Sequence, residues 1–191
     1  ILYLEVDNPL QISVPGFSAG EITASITNGS IAPVKKSSGE YNARPSKKGK
    51  ASVTLYTKIE GKRTKMGSVE FRVKEVPPPK ARVPLAKKAG GVLMIEKTKM
   101  LNSGGVLADL ENFDFEGVRY IITSYRLTGM YKGEQMKRET TNGGGFTKDM
   151  LNIIKNTKIG NTLTISNIKA KRVDIKNSKE RQLDPLVLEI K

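Results

Sequence analysis

The sequence predicts a mainly β protein built as two tandem domains, the second of them α+β with one short helix. Three observations carry that expectation. Apolar residues alternate with period two between evenly spaced turn signals, prolines cluster near residue 77, and helical spacing appears once, after residue 145.

The first block, residues 1–76, reads as strands throughout. Ile22, Ala24 and Ile26 alternate, as do Ala51, Val53, Leu55, Thr57 and Ile59, and then Val69, Phe71 and Val73. Such alternation buries one face of a strand and leaves the other in water. Val14-Pro15-Gly16, Asn28-Gly29, Ser38-Gly39, Lys48-Gly49 and Gly61 supply the turns. Short strands with turn signals at roughly 8–12-residue spacing point to an immunoglobulin-like β-sandwich.

Residues 77–84 read as a proline-rich joint. Pro77-Pro78-Pro79 fixes φ and favours a stiff, extended spacer over a flexible one.

The last block, residues 85–191, opens with glycine turns at Gly90-Gly91 and Gly104-Gly105 around expected strands at 92–97 and 106–111. A long strand follows over 117–127, rich in β-branched and aromatic residues, with Ile121, Thr123, Tyr125 and Leu127 expected on one face. After Gly143-Gly144-Gly145, read as a flexible connection, Met150, Leu151, Ile153 and Ile154 recur at helical steps, so a helix is expected near 148–156. Thr147 can cap it, with Phe146 and Leu151 as a hydrophobic staple. Asp149 and Lys155 complement the helix dipole. Strands resume at 163–170 and 186–190.

Composition removes most enzyme designs. The 191 residues include no His and no Cys, which excludes imidazole bases, Cys or Ser–His nucleophile pairs, disulfides and Cys/His metal sites. The longest apolar runs, such as Val92-Leu93-Met94-Ile95, fall far short of the roughly 20 residues a membrane helix needs. The chain opens on Ile1 without a signal peptide, and is expected to be an excised fragment.

Few residues are left to carry chemistry. Asp109, Glu111, Asp114 and Glu116 crowd together and raise a glycosidase-type or calcium-site reading, but they lack the EF-hand spacing and follow a strand end. Gly143-Gly144-Gly145 lacks the Lys-Ser/Thr pair of a phosphate loop. Asn28-Gly29-Ser30 matches a glycosylation acceptor and, equally, an ordinary turn. No catalytic residue, cofactor or metal is expected.

With 33 basic and 19 acidic residues the chain carries +14. The 76 residues before the joint hold 12 basic and 7 acidic side chains, and the remainder 21 and 12, so both blocks are basic. The basic residues come as scattered pairs, with no helix-turn-helix, zinc-finger or RNA-binding consensus, and solvated strand faces explain them better than nucleic acid does. Tyr120, Tyr125 and Tyr131 lie among Arg119, Arg126 and Lys132, yet Tyr125 is expected to pack rather than stack on a base.

Several strings, in this order, resemble the C-terminal periplasmic domains of the GldM/PorM family of gliding-motility and type IX secretion proteins. They are Val6-Asp7-Asn8-Pro9-Leu10-Gln11-Ile12-Ser13-Val14-Pro15-Gly16, Thr27-Asn28-Gly29-Ser30-Ile31, Gly67-Ser68-Val69-Glu70-Phe71-Arg72-Val73-Lys74, Leu110-Glu111-Asn112-Phe113-Asp114-Phe115 and Leu183-Asp184-Pro185-Leu186-Val187-Leu188-Glu189-Ile190-Lys191. The resemblance spans essentially the whole chain and brings no catalytic motif. It implies a periplasmic homodimer whose missing N-terminal inner-membrane helix joins GldL/PorL in a proton-driven motor. It also implies a far end that meets the outer-membrane-associated GldK/GldN (PorK/PorN) ring. A non-catalytic, force-transmitting shaft segment is the function expected. A periplasmic or cell-surface immunoglobulin-like adhesin module is the alternative, with a nucleic-acid binder and an enzyme behind both. Lys132, Lys137 and Arg138, in the terminal block, are the residues expected to bind a partner.

Overall fold

The computed structural model describes residues 1–191 except 112, 114, 116, 132, 133, 141 and 142, with backbone alone at 130, 131 and 134–140. The chain is mainly β and divides into two compact units, Ile1–Val76 and Pro77–Lys191.

The first unit holds seven strands: β1 (Leu2–Tyr3), β2 (Asn8–Gln11), β3 (Thr23–Ile26), β4 (Ser30–Pro33), β5 (Glu40–Arg44), β6 (Gly49–Ile59) and β7 (Lys62–Lys74). They form two sheets, ordered β1-β7-β6-β3 and β2-β5-β4. Every pairing is antiparallel except β1 with β7, which run parallel. The chain switches sheets between β1 and β2, β2 and β3, β3 and β4, and β5 and β6, and the first strand lies beside the last; this is an immunoglobulin-like sandwich. Its core is small. One cluster gathers Leu2, Ala43, Ala51 and Val73, and another Ile12, Ile22 and Tyr41. Tyr41 also donates its hydroxyl to the Ile22 carbonyl at 2.8 Å, tying the β2-β5-β4 sheet to the entry of β3.

Buried Asn8 closes the crossover from β1 to β2. Its Oδ1 accepts the Tyr3 amide at 2.7 Å, while its Nδ2 donates to the carbonyls of Tyr3, Val6 and Ala43 at 2.8–3.0 Å. A buried amide is tolerated when its polar atoms are satisfied.

The second unit contains β8 (Lys80–Arg82), β9 (Lys87–Ala89), β10 (Val92–Ile95), β11 (Leu107–Asp109), β12 (Tyr120–Tyr131), β13 (Glu134–Thr140), β14 (Thr162–Arg172), β15 (Arg181–Leu183) and β16 (Leu186–Ile190), with helices α1 (Lys97–Asn102) and α2 (Lys148–Asn156). One sheet runs β13-β12-β14-β16-β10-β9, and β15 also pairs with β14. Only β10 with β16 is parallel among its pairings.

The expected helix is α2. Thr147 accepts the Met150 amide at 3.2 Å, and Met150, Ile153 and Ile154 are buried against the sheet. Phe146 and Leu151 pack on the same core. The sheet makes room at Gly129, where a Cβ would stand 2.7 Å from Ile153 Cγ2. Helix α1 adds a short turn that begins at Lys97, the last residue of the strand expected over 92–97.

Three local expectations are corrected. Part of the proline stretch is not spacer: Lys80–Arg82 pairs with β11, and Val83 is buried in the second core. Long-strand parity breaks in β12, where register shifts between Ile122 and Arg126 bury Ile122 and Tyr125 while Ile121 is exposed. An extra residue flips every side chain beyond it. The glycine run 143–145 is also no loose connection. The Val106 amide donates to the Gly144 carbonyl at 2.8 Å, Phe146 donates to Gly104 at 3.2 Å, and Gly105 bridges Gly145.

Candidate interaction surface

Of the residues expected to bind a partner, Lys132 lies outside the described residues. Lys137 and Arg138 fall on β13, the edge strand of the large sheet, in register with Thr128 and Leu127.

The acidic cluster separates. Asp109 pairs with Arg82 at 2.9 Å and Glu111 with Lys80 at 2.6 Å, so these two carboxylates fasten β8 to β11 and its following turn. The Glu111 hydrogen bond and charge raise the Lys80 ammonium above its ordinary value. Asp114 and Glu116 lie outside the described residues. No group of three acidic side chains positioned to hold a metal occurs among the described residues.

Tyr125 packs fully in the core, donates to the Gly145 carbonyl at 3.1 Å and meets Phe146 edge-on. Burial raises its hydroxyl pKa. It is no base-stacking platform.

The charge gathers elsewhere, on the β6–β7 hairpin. Residues 49–74 hold seven Lys or Arg and two Glu; the other 50 residues of the first unit hold five of each. The hairpin therefore carries the unit's whole net charge. Counting charge in this window would have shown it, but dispersal into pairs hid it from a motif search.

Local geometry explains the display. Glu60 and Gly61, at φ 50° and 79°, make a two-residue turn of the kind that matches strand twist. With Ala51 and Val53 buried, the alternate residues Lys50, Ser52, Thr54, Tyr56 and Lys58 face outward, opposite Arg72, Glu70, Ser68, Lys65 and Arg63. Arg63 lies 3.8 Å over the Tyr56 ring, and Lys50 pairs with Glu70 at 2.8 Å. Lys58, Lys62, Lys65, Arg72 and Lys74 form no ion pair among the described residues. Lys58 and Arg63 also line a depression of about 650 Å³ with Thr23 and Glu21. Glu21 is engaged there, accepting from the Ser18 amide and hydroxyl, and those bonds lower its carboxyl pKa.

These features define a tandem β protein whose surfaces are charged sheet faces and edges. A family model described as the GldM third domain matches residues 1–74, and one described as the GldM C-terminal domain matches residues 77–191. The chain belongs to the GldM family, components of gliding motility and type IX secretion. No curated protein matches the chain. Among solved structures it is similar to the Yersinia pseudotuberculosis adhesin InvE at 14% identity and a TM-score of 0.26, over 98% of this chain and 56% of that one. The chain thus spans little more than half of that structure's length. No helix among the described residues is long and apolar enough to cross a membrane.

Proposed function

We propose that this chain is a non-catalytic periplasmic shaft segment of a type IX secretion or gliding motor. In this reading it links an inner-membrane, proton-driven complex to the outer-membrane-associated ring and transmits force between them. The observation that supports it is the match of two consecutive GldM domains, in order, over nearly the whole chain. Stiffness along the chain fits the role. Proline at 77–79 restricts the backbone between the units, and β8 begins directly afterwards. The segment is anchored through a membrane helix carried elsewhere in the full-length protein, where GldL or PorL binds, and it works as a homodimer. The GldK/GldN or PorK/PorN ring binds the second unit at the β12–β13 margin.

Two measurements test this. Sedimentation velocity should give an elongated species near twice 21.0 kDa. Pull-down of ring components at moderate salt should be weakened by reversing Lys132, Lys137 and Arg138 to Glu. Ring binding that survives the triple reversal removes these residues from the reading. If the wild-type chain captures no ring component, the shaft assignment itself fails.

A further inference from the structure

The sandwich of the first unit is missing a strand's width at one margin. Strand β7 spans 13 residues, but β1 pairs with it only at Val73 and Lys74. Among the described residues no strand lies beside Lys62–Arg72 on that side. Val69 marks the gap. It sits opposite Val53, on the face directed at the core; Val53 is 4% exposed, whereas Val69 is 57% exposed. An inward-facing valine left open beside unpaired backbone is what a sheet looks like before a further strand is added.

Charge selects the occupant. Arg63, Lys65, Arg72 and Lys74 point outward from this strand, and the only carboxylate on its outward face, Glu70, is already held by Lys50. A second copy would set two hairpins of like charge against each other, at a cost. Nucleic acid would use exposed aromatic faces, but of the hairpin's two aromatic rings Tyr56 is covered by Arg63 and Phe71 packs against the core. We propose that β7 accepts an extended acidic segment of a partner protein as an added strand along Lys62–Arg72. Acidic residues at alternate positions face Arg63, Lys65 and Arg72, and apolar residues on the other face cover Val69. The surface is separate from the β12–β13 margin and does not depend on the oligomeric state.

The test uses the 191-residue chain and a fluorescent peptide of about ten residues alternating Glu and Val. Anisotropy should show saturable binding that weakens with salt, and amide exchange should slow along Lys62–Arg72. Methylating alternate peptide nitrogens, which keeps charge and removes strand pairing, should weaken binding by about tenfold or more. The pair Arg63→Glu and Lys65→Glu should do the same, while Lys35→Glu with Lys36→Glu, off the hairpin, should leave binding unchanged. Equal binding of the methylated peptide overturns strand addition. Equal loss in the Lys35/Lys36 variant overturns the site. Tighter binding of a single-stranded oligonucleotide to the same residues overturns the choice of a peptide.

Discussion

Gly105 and Gly144 meet backbone to backbone: a Cβ built on Gly105 would stand 2.0 Å from the Gly144 carbonyl oxygen, and one on Gly144 would stand 2.2 Å from the Val106 carbonyl oxygen. Neither contact can be relieved by rotating a side chain, because both obstacles are main chain. Gly144→Ala should therefore destabilise the second unit by about 2–4 kcal/mol in denaturant unfolding. Gly145→Ala, whose Cβ would stand 3.7 Å from the Gly104 carbonyl oxygen, is the control and should stay within about 1 kcal/mol.

Asn8 is the corresponding weak point of the first unit. Asn8→Ala leaves the Tyr3 amide and three carbonyls short of a partner in a buried crossover. A loss of about 2–3 kcal/mol is expected by chemical denaturation. Asn8→Asp should cost at least as much, since a carboxylate cannot donate to the carbonyls of Val6 and Ala43.

The pair of Arg172 and Asp174 gives the second unit an acid-sensitive element. Arg172 is buried to 7% exposure, and its Nε donates to Asp174 at 3.1 Å. Burial alone would push the Asp174 carboxyl up. Hydrogen bonds and charge from Arg172, with the amides of Asp174 and Arg119, outweigh it and hold the carboxyl below its ordinary 3.8. A depressed folded value means that the contribution is full above the unfolded value and fades as pH falls below about 4. Asp174→Asn should lower stability at pH 7, by about 2 kcal/mol, and flatten the loss of stability below pH 4 in acid titrations followed by circular dichroism.

At the tip of the basic hairpin, Glu60 occupies a left-handed position that Asn fills more readily. Glu60→Asn should stabilise the first unit by about 0.5–1 kcal/mol in thermal unfolding. It also removes one of the hairpin's two carboxylates, so binding of the acidic peptide should tighten rather than weaken.

What the sequence made legible was local. Thr147, the spacing of Met150, Ile153 and Ile154, and Phe146 before the cap announce α2 within ten residues of one another. Alternation announces β3, β6 and most of β7 for the same reason. The misses are non-local. Nothing near Lys80 tells that Leu107–Asp109 will pair with it, so the strand hid inside a proline stretch. The register shift in β12 depends on its alignment with β14, and only that pairing decides that Ile122 rather than Ile121 enters the core. Helix α1 has no side-chain cap and buries only Met100, so its six residues carry no periodic signature. Lys137 and Arg138, expected to bind a partner, were legible as charge, but their place on β13 at the end of the sheet order was not.

Both units pair an early strand with their last in parallel, β1 with β7 and β10 with β16. Stretching the chain by its ends slides such strands lengthwise past each other, so their hydrogen bonds share the load and rupture together. Antiparallel hairpins such as β9–β10, pulled from their open end, give way one bond at a time. The rows are unequal. The first unit has register pairs only at Leu2–Val73 and Tyr3–Lys74, backed by the Leu4 amide on Lys74. In the second, three register pairs from Leu93 to Ile95 are prolonged by bonds of Lys191 with Ile95 and of Lys97 with Lys191. Optical-tweezer extension should accordingly show the first unit yielding at the lower force. The second unit's β9 should peel before its shear row breaks. Under tension the C-terminal unit would be the last of the two to lose its shape.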